Sequence, residues 1–383
     1  MANDKSFKIK NGLSVGTRYL QTGGTETAGS TSYDLVEGSY SGKSFLVSET
    51  SSPTGAGFKP DGTKMYVTSA SGDNVYQYTL STAWDVSTAS YDSVVFNLTS
   101  QDGTPEGVAF NDDGTVMYVL GANNDTVFQY TLSTAYDIST ASYASKSLSL
   151  ASQGTGMQGF YIKPDGTSLY AQDASSDTVY QYSLSTAYDV STGSYASKSF
   201  SVSSQDSVPR GVSFKSDGTK MYIAGETSDA VYQYSLSTAW DVSTASYDSV
   251  VLSAASQTNS CYDITFDPSG LIMYITSLSG QTIYQYSTVA YTQTLDLSTG
   301  NTFSFTPSGA TTVSFTNPPA SGTAVGFTLE VNNTGGYALT WPSSVKWHLG
   351  TAPTATASKE LYTFVTTDGG TTYYGKKSAG DIA

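Results

Sequence analysis

Asp-Gly recurs at Gly62, Gly114, Gly166 and Gly218, each step being 52 residues, and Ser269-Gly270 supplies a fifth copy on the same spacing. A period this regular makes the chain an array of similar units, each burying its apolar surface against its neighbours. Whole segments carry it. Val75 to Val95 reads VYQYTLSTAWDVSTASYDSVV, and Val231 to Val251 differs only in having Ser235 where the earlier copy has Thr79.

Within one copy, Glu106 to Phe110 leads into the turn Asn111 to Gly114 and on to Val116 to Leu120, which reads as a hairpin. Thr126 to Leu132 and, after the connection Ser133 to Ser142, Ser145 to Leu150 complete four strands. β-branched and aromatic enrichment, with Gly and Asp punctuation, argues for sheet over helix. Gly after Asp marks the turn because it tolerates positive φ.

Four-stranded units in tandem fit a β-propeller, in which each blade is covered on both faces by its neighbours. FKPDGTKMYV (Phe58 to Val67), FNDDGTVMYV (Phe110 to Val119) and FKSDGTKMYI (Phe214 to Ile223) resemble the YVTN and NHL-like propeller repeats over about 250 residues. The fifth copy stops after three strands, and the missing piece lies at the other end. Ser32 to Tyr40 matches Ala83 to Tyr91, and Phe45 to Val47 takes the place of Phe96 to Leu98. The expectation is an all-β chain: a five-bladed propeller over 32–287 closed by an N-terminal outer strand, preceded by a segment 1–31 and followed by a β-sandwich or jelly-roll-like module over 288–383. Closure of this kind removes the exposed sheet edges that invite aggregation.

Five blades crowd their inner strands at the axis, and the sequence has small residues there. Gly55, Gly107, Gly159 and Gly211 are equivalent, with Gly57, Ala109 and Ser213 two residues later; Tyr161 and Asp263 break the rule. At the start of the inner strand the five copies read Thr54, Glu106, Gln158, Arg210 and Tyr262, every one different. These, with Asp263, are the candidate ligand-binding residues, round a shallow polar depression suited to a glycan or peptide. On the opposite face Trp84, Tyr136, Tyr188 and Trp240 recur beside Asp85, Asp137, Asp189 and Asp241, with Tyr33 and Asp34 as a fifth copy. Sameness in every copy favours scaffold: a ring packed under its loop and an Asp capping a turn. Asp73, Asp125, Asp177 and Asp229, with Gln281 breaking the series, likewise read as turn residues and not metal ligands.

No catalytic residue is assigned. Glycoside hydrolysis needs a pair of carboxyls at defined separation, and only Glu106 and Asp263, from non-adjacent blades, qualify as axial acids. His348 is the sole histidine and Cys261 the sole cysteine, so neither a metal nor another cofactor is expected. A net charge of -15 repels a phosphate backbone and excludes nucleic acid as a partner. No segment approaches the apolar length of a membrane span, and Met1 to Lys10 lacks the apolar stretch of a secretory signal.

The two ends differ from the repeat. Phe7 to Val15 reads as a short strand and Thr22 to Thr31 as a linker. The opening MANDKSFKIKNGLSV resembles the start of tail-fibre and other virion proteins of marine bacteriophages. After Tyr291, six strand candidates are Thr302 to Phe305, Thr311 to Phe315, Val325 to Val331, Tyr337 to Trp341, Leu361 to Thr366 and Thr371 to Tyr374. VSFTNPPASGTAVGFTLEV (Val313 to Val331), LTWPSSVKW (Leu339 to Trp347) and LYTFVTTDGGTTYYG (Leu361 to Gly375) resemble the C-terminal module of many phage fibre proteins, apart from His348-Leu349 after the second tryptophan. The resemblance implies a virion appendage, a tail or head fibre on the particle exterior. It implies docking on other virion proteins through the N-terminal segment, host-surface glycan or protein as partner, and a homo-oligomer, a trimer by analogy. A purely structural decoration protein and a polysaccharide depolymerase are the alternatives; the reading is a binding protein, not an enzyme.

Overall fold

The computed structural model describes residues 20–22, 26–28, 33–289, 291–307, 309–334 and 336–382. It separates into two compact units: Ser30–Val289, and a second built from Met1–Gly29 together with Ala290–Ala383. The strand expected at Phe7 to Val15 lies outside the described residues.

The first unit is a propeller of five four-stranded antiparallel blades. In the second blade the strands run from the axis outward as Pro105–Phe110, Val116–Gly121, Thr126–Leu132 and Ala141–Ser149. The fifth blade takes Cys261–Phe266, Ile272–Ser277 and Thr282–Ser287 from the end of the repeat and Ser39–Leu46 from its beginning. That outer strand pairs antiparallel with Thr282 opposite Leu46 and Ser287 opposite Ser39, so the ring closes as expected.

The outer strands begin earlier than the sequence pattern suggests. Residues Ile138–Thr140 form a 3-10 turn and Ala141 already pairs with Leu132. The register then slips between Gln129 and Tyr130, where Ser145 sits at φ 58°. A left-handed serine makes a bulge that interrupts the two-residue alternation, and this hides the strand's first half.

Each blade is tied to the next by two kinds of buried hydrogen bond. The second-strand tyrosine donates to the backbone carbonyl of the aromatic in the following blade's connection: Tyr66 to Tyr136 at 2.5 Å, Tyr118 to Tyr188 at 2.7 Å, Tyr170 to Trp240 at 2.8 Å and Tyr274 to Trp84 at 2.8 Å. Tyr222 donates to Tyr33 and completes the circle through the N-terminal segment. In parallel, the side-chain oxygens of Gln77, Gln129, Gln181, Gln233 and Gln285 accept from the amides of Ile138, Val190, Val242, Leu35 and Val86 at 3.0–3.2 Å. Buried polar groups are thus paired across every seam, while rows of Val, Ile, Leu, Met and Tyr fill the interfaces.

The recurrent turn and connection lock together. Gly114 has φ +71°, and a Cβ there would overlap the Tyr136 ring. Asp137 accepts from the Ser139 amide at 3.0 Å and caps the 3-10 turn, and Asp34, Asp85, Asp189 and Asp241 do the same in their copies. Scaffold duty for the repeated aromatic–Asp pair is therefore what the structure shows. Asp73, Asp125, Asp177, Asp229 and Gln281 all sit at φ 44–55°, as turn residues.

The second unit contains two sheets. One has the order Leu20–Thr22, Thr302–Phe305, Val325–Asn332, Lys359–Thr366, Tyr373–Ile382 and Val345–Trp347; the other, Glu26–Ala28, Tyr291–Asp296, Thr311–Thr316 and Leu339–Thr340. Residues of both, among them Leu295, Phe303, Val313, Phe327 and Phe364, share one core. From Tyr291–Asp296 to Val345–Trp347 successive strands alternate between the sheets, and Tyr291–Asp296, Thr311–Thr316 and Leu339–Thr340 lie parallel. A jelly roll pairs its strands antiparallel, so that expectation is not met. The linker expected over Thr22 to Thr31 is corrected too: Glu26–Ala28 pairs with Tyr291–Gln293, because three residues in register suffice to extend an open sheet edge.

Tyr66→Phe removes one seam hydrogen bond and leaves a buried carbonyl unpaired, costing about 1–2 kcal/mol. Gly114→Ala forces a left-handed alanine against a packed ring and costs roughly 2 kcal/mol or more. Denaturant unfolding of both variants checks the order; equal, negligible losses would contradict this account of the seams.

Candidate axial site

Inner strands approach so closely at the axis that glycine is required. A Cβ on Gly55 would stand 2.9 Å from the Glu106 carbonyl, and one on Gly159 would stand 2.5 Å from that of Arg210. The fifth equivalent is Asp263, whose carboxylate fits between Gly55 and Gly211 and accepts from the Ala56 amide at 3.2 Å. Burial pushes its carboxyl up to about 7, although the Ile264 and Ala56 amides pull the other way. Its residue surface is not wholly inaccessible, because it borders an internal chamber.

Four of the six candidate residues meet in one cluster. The Arg210 guanidinium donates to Glu226 through Nε at 2.7 Å and to Gln158 Oε1 through Nη1 at 2.7 Å, and stacks over the Tyr262 ring at 4.7 Å. The Tyr262 hydroxyl donates to the same Gln158 oxygen at 2.9 Å. Glu226, which the sequence reading passed over, also accepts from Ser260 at 3.2 Å. Glu106 is 3% exposed and its Oε2 has no hydrogen-bond partner. Burial raises its carboxyl to about 8, against opposing contributions from Tyr262 and Arg210.

Two expectations need correcting. Thr54 is 1% exposed and bonded to Thr68 and the Pro105 carbonyl, so it belongs to the wall and not to a ligand surface. The predicted shallow polar depression is an interlocked plug, since Arg210, Gln158 and Tyr262 satisfy one another. Glu106 and Asp263, placed on non-adjacent blades, nevertheless stand among the lining residues of one space, to which blade 1, between them, contributes Ala56, Gly57 and Phe58.

That space is an axial chamber of about 240 Å³. Glu106 and Asp263 stand among its lining residues together with Phe110, Phe160, Tyr161 and Tyr188, and the exposed Asp112 and the half-buried Lys163 mark its rim on the Asp-Gly turn side. Tyr161 was legible as a break in the small-residue pattern. Phe160 and Tyr188 were not, because each occupies a position where other copies also carry apolar or aromatic residues.

A further regularity escaped the sequence reading. In blade 2 the buried Asp102 accepts from the amides of Thr104, Asn123 and Asn124 at 2.8–3.3 Å, and Gly121 makes room for it; Asp206 and Gly225 repeat this in blade 4. Blade 3 exchanges the partners, with Gly154 facing Asp173. In blades 1 and 5 the same places hold hydrogen-bonded pairs, Thr50 with Ser69 and Thr258 with Ser277. Each blade therefore fills one space with one carboxylate or two hydroxyls.

Residues 153–309 match the family described as Lactonase, 7-bladed beta-propeller. The matched span starts in the third repeat and runs past the fifth into the second unit, and the ring here has five blades. Solved structures similar to this chain include candidate 6-phosphogluconolactonases from Bacteroides uniformis (18% identity, TM-score 0.40, covering 59% of this chain and 64% of that one) and Bacteroides fragilis (17%, 0.38, 59% and 64%). A functionally unknown protein from Desulfotomaculum acetoxidans is similar at 13% identity and TM-score 0.38, covering 58% and 62%. The match thus spans less than two thirds of each neighbour's length. No curated protein matches. The expectation of a chain without enzymatic character is corrected by the lactonase-family match.

Glu106 and Asp263 carry a defined pH signature. Unfolded, they titrate near 4.3 and 3.9; folded, near 8 and 7. Between those values the folded state holds more protons, so stability present below about pH 4 is lost as pH rises and the loss is complete above about 8. The depressed carboxyls Asp61 and Asp217, near 2, act with opposite sign but only below about pH 4. The melting temperature should therefore fall from pH 5 to 9, and Asp263→Asn with Glu106→Gln should flatten that slope. A slope unchanged in the double variant would refute the assignment.

Proposed function

We propose that this chain is an appendage protein of a bacteriophage particle and that its propeller binds a host-surface glycan or protein at the face where the inner strands begin. One observation carries the reading. Positions that differ in all five copies converge, as Glu106, Gln158, Arg210 and Tyr262, on a single place, whereas the positions that repeat are consumed by seams and turns. A scaffold needs no such divergence. The N-terminal opening and the Val313 to Gly375 segments, which resemble those of phage fibres, support the setting. There the second unit and the N-terminal segment engage other virion proteins, and several copies on one particle multiply weak contacts. The polar loops between second and third strands, such as Gly121 to Asp125 and Gly225 to Asp229, rim this face.

Arg210→Ala together with Glu226→Ala removes both charges of the pair, so neither is left stranded. With Gln158→Ala added, adsorption of the purified protein to host cells should fall tenfold or more while the melting temperature moves by only a few degrees. Undiminished adsorption, or none by the parent protein, would instead favour a purely structural role on the particle.

A second reading is favoured by the lactonase-family match over residues 153–309 together with the two raised carboxyls. A carboxylic acid that keeps its proton near neutral pH can protonate the ring oxygen as the tetrahedral adduct of water and the lactone carbonyl collapses and the ring C–O bond breaks, and a proton of the added water then restores the acid. Hydrolysis of glucono-δ-lactone faster than in buffer, and reduced a hundredfold or more by Glu106→Gln with Asp263→Asn, is the expected result. A rate equal to that of buffer would eliminate it.

A further inference from the structure

We propose that the second unit carries a binding site for an acidic sugar, a hexuronate whose ring lies against Trp347 and whose carboxylate meets Lys376 and Lys377. The place is a cavity of about 350 Å³ between the turn that follows Val345–Trp347 and the strand Tyr373–Ile382. That is within the range of small-ligand pockets. His348 and Leu349, the pair by which this segment departs from the phage-fibre resemblance, both line the cavity. Both are exposed, Leu349 at 82%, so neither serves the core of the unit.

The backbone builds the cavity from two irregularities. On one side the His348 amide donates to the Gly375 carbonyl at 3.0 Å, and the amide of Gly350, at φ 81°, donates to the Trp347 carbonyl at 2.9 Å, which folds the turn tightly beside the strand. On the other side Leu361 pairs with Ala379 and Tyr362 with Lys377, so Ser378 is an extra residue. A regular strand turns neighbouring side chains to opposite faces. A bulge re-aims them, and here Lys376, Lys377 and Ser378 all line the cavity.

Charge sets the sign of the ligand. In a chain of net charge -15, the lining holds three basic residues and no acidic one. Lys377 is fixed in place: its ammonium donates to the buried Glu360 and to the Thr354 carbonyl at 3.4 Å. Glu360 is itself held by the Thr356 amide at 2.9 Å and the Tyr362 hydroxyl at 2.6 Å. An ammonium has three protons, so one remains for a ligand. Lys376 is exposed and makes no ion pair among the described residues, which leaves its charge uncompensated. The rest of the lining sets the body. Trp347, half-buried, is braced by Trp341 at 5.2 Å and Phe364 at 5.7 Å, and with Pro353 and Leu349 it offers apolar area to the C–H face of a ring. Thr351 and Ser378 add hydroxyls, which suit those of a sugar and have no use for an aromatic acid.

Titration of the full chain with methyl glucuronide, followed by calorimetry and tryptophan fluorescence, tests it beside methyl glucoside and benzoate. The glucuronide should bind at least tenfold more tightly than either, and several-fold less tightly in about 0.5 M sodium chloride. Lys376→Glu, a surface change, should cost tenfold or more, while Lys376→Arg should keep most of the affinity; melting curves verify that both fold. The proposal is independent of the appendage reading, so the Arg210, Glu226 and Gln158 triple alanine variant of the adsorption experiment should bind the glucuronide as the parent does. Equal binding of the glucoside or of benzoate, unaltered binding by Lys376→Glu, loss of binding in the folded triple variant, or no binding by the folded parent protein would each overturn the proposal.

Discussion

The propeller depends on a handover repeated around the ring: a tyrosine hydroxyl and a glutamine carbonyl of one blade are satisfied by the backbone of the next. Tyr222 and Gln233 have no such partner within the tandem copies and find it at Tyr33 and Leu35, at the beginning of the repeat region. Closure is therefore enforced by polar groups as well as by apolar area. An open ring would strand buried donors and acceptors, and the penalty for that exceeds the net gain from forming any one of the bonds. The same geometry makes the ring intolerant of partial copies, since every blade is both donor and host.

Symmetry then has a cost at the axis. Five inner strands converge so tightly that four of them carry glycine, and the fifth place holds an aspartate whose carboxylate occupies the space that the glycines leave. Distortion from fivefold symmetry concentrates here: Asp263 replaces the glycine of the other copies and Tyr161 their small residue, beside Phe160, the largest of its apolar column. An acidic, ring-walled chamber is the result, with the plug of Gln158, Arg210 and Tyr262 among the neighbours of Glu106.

The repeat made blade number, strand order and ring closure readable, because a 52-residue period and a split fifth copy leave one way to pair all edges. It also made scaffold residues recognisable by their sameness, as with Asp85 and Trp84. Reading failed where chemistry is set by contacts across blades. Thr54 belongs to the same divergent column as Arg210 yet faces the wall, and whether such a residue is free or satisfied is decided by Pro105 and Thr68 on other strands. Glu226 was invisible because its role exists only opposite Arg210. The exchange of Asp and Gly between blades 2, 3 and 4 shows a complementary pair that copy-by-copy comparison of single columns does not detect. In the second unit, parallel pairing of Tyr291–Asp296 with Thr311–Thr316 left no signal, since alternation of apolar residues is the same for either strand direction.

The second unit draws strands from both sides of the repeat, Leu20–Thr22 and Glu26–Ala28 before it and Tyr291 onward after it. The propeller is thus an insertion, and the polypeptide passes between units twice. A protease that nicks one crossing leaves the two bodies joined through the other, so shedding the disc takes a pair of cuts. A gene fragment starting at the later crossing would likewise encode a module missing an edge from each of its sheets.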